Sequence, residues 1–167
     1  VASTAATGLL SKAVLAQGPR QGGSLVMGLQ GGESTNSLDP ALAASQVPFS
    51  YLKVSGEPLV NITREGGLEG RIAEEWTASD DATEWRFKIR SGVEFHNGQT
   101  VTAEDVAQTL RRHSNEDSQS GALGIMRGIS SISVEGDTLV LQTEGPNADL
   151  PFLLADYHLM IQPNGGF

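Results

Sequence analysis

The sequence predicts an α+β fold of antiparallel strand pairs with few helices, and three observations carry that prediction. Residues Thr83 to Arg90 alternate strictly, with Trp85, Phe87 and Ile89 on one face and Arg86, Lys88 and Arg90 on the other. That is the period of a strand with one face in a core and one in water. Gly128 to Thr143 reads as a hairpin: GISSISV, the turn Glu135-Gly136-Asp137, then TLVLQT. Thr102, with Asp105 three residues on as in a capping box, opens a helix whose Ala103, Val106, Ala107 and Leu110 form one apolar stripe.

The other elements follow in chain order. Val1 to Ala16 is small and apolar, and Val14-Leu15-Ala16 before Gln17 has the small-x-small pattern of an export-signal cleavage site. Residues 1–16 are therefore read as the remnant of a signal peptide and 17–23 as a flexible lead-in. Ser24 to Gln30 (SLVMGLQ) predicts a short buried strand bounded by glycines. Gly31 to Asn36 is a polar loop, closed by Leu38-Asp39-Pro40, since Asp before Pro favours an extended or turn conformation. Ser45 to Ser55 reads as a helix with Pro48 in its first turn. Glu57 to Thr63 reads as a strand running into the turn Arg64 to Gly67. His96-Asn97-Gly98-Gln99 is a turn, and His113 to Gly124 a loop. Asp149 to Ile161 is apolar and ends in the strand-like HLMI.

Composition narrows the function classes. Hydrophobic residues make up 38% and charged residues 19% of the 167, enough for one folded domain. The formal charge is −9 and the longest basic run is Arg111-Arg112, which argues against a nucleic-acid partner, whose phosphates require a basic face. There is no cysteine, so disulfides, Cys-based zinc sites and thiol catalysis are excluded.

Catalytic constellations are weak. His96, His113 and His158 show no His-x3-His or comparable ligand spacing, so each reads as structural or solvated. Asp80-Asp81 sits at a turn before a strand, and nothing beside it in the sequence would raise one carboxyl above the other. A hydrolytic enzyme using His96 or the Asp80/Asp81 pair is the alternative reading. The loop Gly31-Gly32-Glu33-Ser34 follows a predicted strand as a phosphate loop would, but lacks the Gly-Lys-Ser/Thr ending. From composition it is either a plain connection or a ligand-facing loop.

The longest ordered signal runs through Ile72-Ala73-Glu74-Glu75-Trp76, Ser79-Asp80-Asp81 and Trp85 to Arg90. It continues through Gly92-Val93-Glu94-Phe95-His96-Asn97-Gly98 to Thr102-Ala103-Glu104-Asp105-Val106. Earlier come Gly22-Gly23-Ser24-Leu25 and Leu38-Asp39-Pro40-Ala41, then Glu57-Pro58-Leu59-Val60 with Gly56 where a tyrosine is usual. These blocks resemble the family 5 extracellular solute-binding proteins, of the dipeptide-, oligopeptide- and nickel-binding type. The resemblance implies a two-lobed periplasmic-binding-protein fold (type II, cluster C-like) of which 24–167 is the N-terminal part of the incomplete first lobe. The second lobe, the hinge and the C-terminal return fall outside it. It further implies a solute, a di- or oligopeptide, held between the lobes and delivered outside the cytoplasm to the permease subunits of an ABC importer, with no cofactor and no chemistry. On this reading the loop after the first strand lines the cleft: Gly31, Gly32, Glu33, Ser34, Thr35 and Asn36.

Overall fold

The computed structural model describes residues 21–166. The expected export signal, 1–16, and most of the lead-in, 17–23, lie outside the described residues.

The centre is a four-stranded antiparallel sheet in the order β3-β4-β6-β5, formed by Ala73–Ala78, Glu84–Ile89, Thr138–Thr143 and Ile129–Glu135 (β3, β4, β6 and β5). The alternation read from β4 is realised. Trp85, Phe87 and Ile89 are buried, while Arg86 and Lys88 point away and pair with Glu135 and Glu74. Phe87 stands opposite Leu139 of β6 and Trp85 opposite Leu141, so the apolar faces of two strands coincide. The hairpin forms as predicted, with Glu135 opposite Thr138 across the turn.

Helix α2, Ala103–Ser114, packs on β5 and β6 through Val106, Ala107 and Leu110, all buried. Its capping box is complete: the Thr102 hydroxyl accepts from Asp105 N–H at 3.2 Å, and Asp105 Oδ2 accepts from Thr102 N–H at 2.9 Å. Helix α1, Gln46–Ser55, starts where predicted, with Pro48 in its first turn. Two short helices follow, α3, Leu123–Met126, and α4, Leu150–Leu153. A two-stranded hairpin, β1 Val60–Ile62 with β2 Leu68–Gly70, closes around the predicted Arg64–Gly67 turn.

Two expectations are corrected. Residues 24–30 form no strand; they are exposed, with Leu25 at 80% and Val26 at 94%. The apolar run asks for burial, but no strand among the described residues pairs with it, and a lone strand's backbone groups return to water. HLMI is not a strand either. Asp156 accepts from His158 N–H, capping a 310 turn over Tyr157–Leu159. Strand β3 is not among the elements read from the sequence; a bulge between Ala73 and Glu75 interrupts its register and its alternation.

Candidate functional site

Loop 31–36 is a self-closed turn. Gly31 has φ +93°, a left-handed conformation that favours glycine, and a Cβ there would lie 3.3 Å from Ser45 Cβ. Its carbonyl accepts from Asn36 Nδ2 at 2.8 Å and from Ser45 Oγ at 3.1 Å, and Ser45 Oγ also lies 2.9 Å from Asn36 Oδ1. Asn36 N–H donates to Glu33 O at 3.1 Å. Gly31 and Asn36 are thus the staples of the loop, half-buried, and Gly32, Glu33, Ser34 and Thr35 are the exposed tip.

The residues after the loop are fastened to the body by polar contacts that the sequence does not announce. Asp39 accepts from Ala41 N–H at 3.0 Å and takes a two-pronged ion pair from Arg112 of α2, with Nη1 to Oδ1 at 2.9 Å and Nη2 on Oδ2. Burial pushes the Asp39 carboxyl up, but the bonds from Arg112 and Ala41 more than offset it and hold it below the usual range. Gly121 N–H donates to Ala41 O at 3.0 Å, which lays the connection after α2 against this segment. Within that connection, His113 Nδ1 lies 2.6 Å from Ser120 Oγ, and Ser120 Oγ accepts from Ala122 N–H at 3.1 Å. Burial lowers His113 to about 4, with the nearby Arg112 charge adding to the effect, so its ring is neutral at neutral pH.

The residues of the hydrolytic alternative do not assemble. Asp81 lies in the β3–β4 turn, where bonds from Ser79 Oγ, Thr83 Oγ1 and Thr83 N–H lower its carboxyl to about 2. It is a turn brace, ionised at any working pH. His96 Nε2 lies 2.9 Å from Ser55 O, a partner that can only accept. Among the described residues no hydrogen bond joins His96 to Asp80 or Asp81. His96 instead edges a groove of about 500 Å³, whose walls include Tyr51, Leu52, Val93, Phe95 and Met160. Those residues come from well-separated segments and share no motif, so the groove is invisible in the sequence. Among the described residues no group of three or more His, Asp or Glu could hold a metal ion.

The comparisons with known proteins bear on this frame. The family described as bacterial extracellular solute-binding proteins, family 5 Middle, matches residues 67–166. The chain belongs to that family. Among curated relatives it is 33% identical over 81 residues to the probable D,D-dipeptide-binding periplasmic protein of Escherichia coli (strain K12), covering 46% of this chain and 16% of that one. It is 35% identical over 74 residues to the nickel-binding periplasmic protein of the same organism, covering 44% and 14%. Among solved structures, the PBP AgaA of A. tumefaciens R10 in complex with agropinic acid superposes with a TM-score of 0.73 at 26% identity, covering 77% of this chain and 26% of that one. The chain therefore spans only a minor part of the length of these relatives. As a member of family 5, it has part of the type II periplasmic-binding-protein fold, and the antiparallel, helix-poor class read from the sequence stands. The family is described as one of extracellular solute-binding proteins.

Arg112, Ser120, Gly121 and His158 were missed as parts of the loop's support. Only Asp39, within Leu38-Asp39-Pro40, could have hinted at it, by being a carboxylate in an otherwise apolar motif.

Proposed function

We propose that residues 24–167 form part of the first lobe of an extracytoplasmic solute-binding protein whose loop 31–36 lines the solute cleft. The solute, on this reading a di- or oligopeptide, is captured without chemical change and delivered to the permease subunits of an ABC importer. The observation that carries the reading is the construction of the loop. Gly31 and Asn36 use their polar groups to close it, and this leaves the Gly32–Thr35 tip to present backbone N–H groups, the Ser34 and Thr35 hydroxyls and the Glu33 carboxylate outward. Such groups suit the amides and carboxylates of a peptide, and binding sites are commonly loops held by a rigid scaffold. The family membership and the relatives named for dipeptide binding support the same choice.

The test is native mass spectrometry of the full-length gene product purified without denaturation. A co-purifying peptide that is released intact, with no turnover on prolonged incubation, is the expected result. A co-purifying metal complex would retain solute capture and displace the peptide reading. Steady hydrolysis of a bound peptide would displace both.

A further inference from the structure

The contacts that hold loop 31–36 converge on one side chain. His158 is 8% exposed and sits at the meeting of three segments. Its own turn aims the ring: Asp156 Oδ1 accepts from His158 N–H at 2.9 Å and lies 2.6 Å from Nδ1. Across the gap, Nε2 lies 3.0 Å from Ala43 O, which can only accept, so Nε2 carries the proton of that bond. Tyr157 supports the arrangement, with its ring centroid 4.0 Å from that of His158 and its hydroxyl donating to the same carbonyl at 3.4 Å. Gly121 leaves room for the imidazole, since a Cβ there would lie 2.3 Å from Nε2. Two residues after Ala43, Ser45 Oγ reaches Gly31 O and Asn36 Oδ1, so the path from His158 to the loop is unbroken.

We propose that His158 is a positioning residue for solute capture. By donating to Ala43 O it fixes the 39–45 segment, and through Ser45 it sets the place of loop 31–36 without touching solute itself. That this matters for capture rests on the reading of loop 31–36 given above; that His158 holds the loop does not. A residue serving packing alone would need no carboxylate to aim its ring, and here Asp156 does that from two positions away.

The test is backbone amide exchange of the full-length gene product with no solute added, comparing wild type, His158→Ala and His158→Gln. In His158→Ala, peptides covering 31–45 exchange about tenfold faster, the scale of one hydrogen bond lost from a buried acceptor, while peptides of β4 and β6 are unchanged. His158→Gln keeps a side-chain donor and recovers most of the protection. Unchanged exchange over 31–45 in His158→Ala, or a rise of equal size through the sheet, overturns the proposal. If His158→Ala does not fold, Asp156→Ala, which removes the Oδ1 acceptor that aims the ring, decides: a rise confined to 31–45 supports it and no rise overturns it. The experiment involves no solute, so its outcome is separate from that of the proposed function.

Discussion

In β4 and β6, Phe87 and Leu139 face each other across the ladder and are fully buried. In residues 24–30, Leu25 and Val26 are equally apolar, yet they lie at 80% and 94% exposure. The apolar content of the two regions is similar, so it does not explain the difference. A neighbour does. Turns join β3 to β4 and β5 to β6, and β6 lies beside β4 across the intervening α2 and β5, so each strand meets an apolar face in register and buries it. Residues 24–30 have no such neighbour among the described residues, and the chain that follows them is held by directed hydrogen bonds: the Arg112 side chain on Asp39, the Gly121 N–H on Ala41 O and the His158 ring on Ala43 O. One region is placed by burial along whole strands; the other combines a small buried cluster of Ala43 with Leu52 and Met160 with a few directed bonds, and it carries the candidate site.

The difference can be tested by removing each kind of support. The largest effect belongs to the sheet. Phe87→Ala removes a side chain with 0% exposure and lowers unfolding stability by about 3–5 kcal/mol, read as a lower midpoint in urea with the loop and sheet lost together. A cost below 1 kcal/mol would show that the face across from Leu139 is not the core.

Acid provides the next. His113 takes a proton near pH 4 in the folded chain and at 6.5 when unfolded, so between these values the unfolded state binds more protons. Stability therefore falls as pH drops from 6.5 towards 4, by roughly 3 kcal/mol for this group alone. Thermal melts of wild type and His113→Gln across that window measure it: the variant loses part of the acid sensitivity, and identical curves would refute the burial of the neutral ring.

Asp39→Ala is milder, because the pair it breaks is partly open to water, at 19% and 28% side-chain exposure. We expect a loss of about 1–2 kcal/mol, with faster exchange over 31–45 and little change in the sheet. An effect spread evenly over both regions would erase the distinction between them.

What the sequence made legible follows the same division. The β4 alternation, the β5–β6 hairpin and the Thr102 capping box are local signals, each complete within a short window, and each is realised in the fold. Strand β3 was obscured by its bulge. The segment 24–30 was misread because hydrophobicity says that a residue seeks burial and not whether a partner is present. Loop 31–36 was legible as a loop, from its glycines and short polar residues. Its supports were not, because Asp39–Arg112 and Ala43–His158 join residues 73 and 115 positions apart, and no periodicity spans such distances.

The most direct measurement is solute affinity in the full-length gene product, by titration calorimetry with the solute that co-purifies. It compares wild type with the combined variant Glu33→Ala, Ser34→Ala, Thr35→Ala. These exposed tip residues contribute little to stability, so the melting temperature stays where it was while affinity falls about tenfold or more, the cost of losing one or two polar contacts to a bound ligand. Unchanged affinity in a folded variant would contradict the account, because loop 31–36 would then be a connection and not a wall of the cleft.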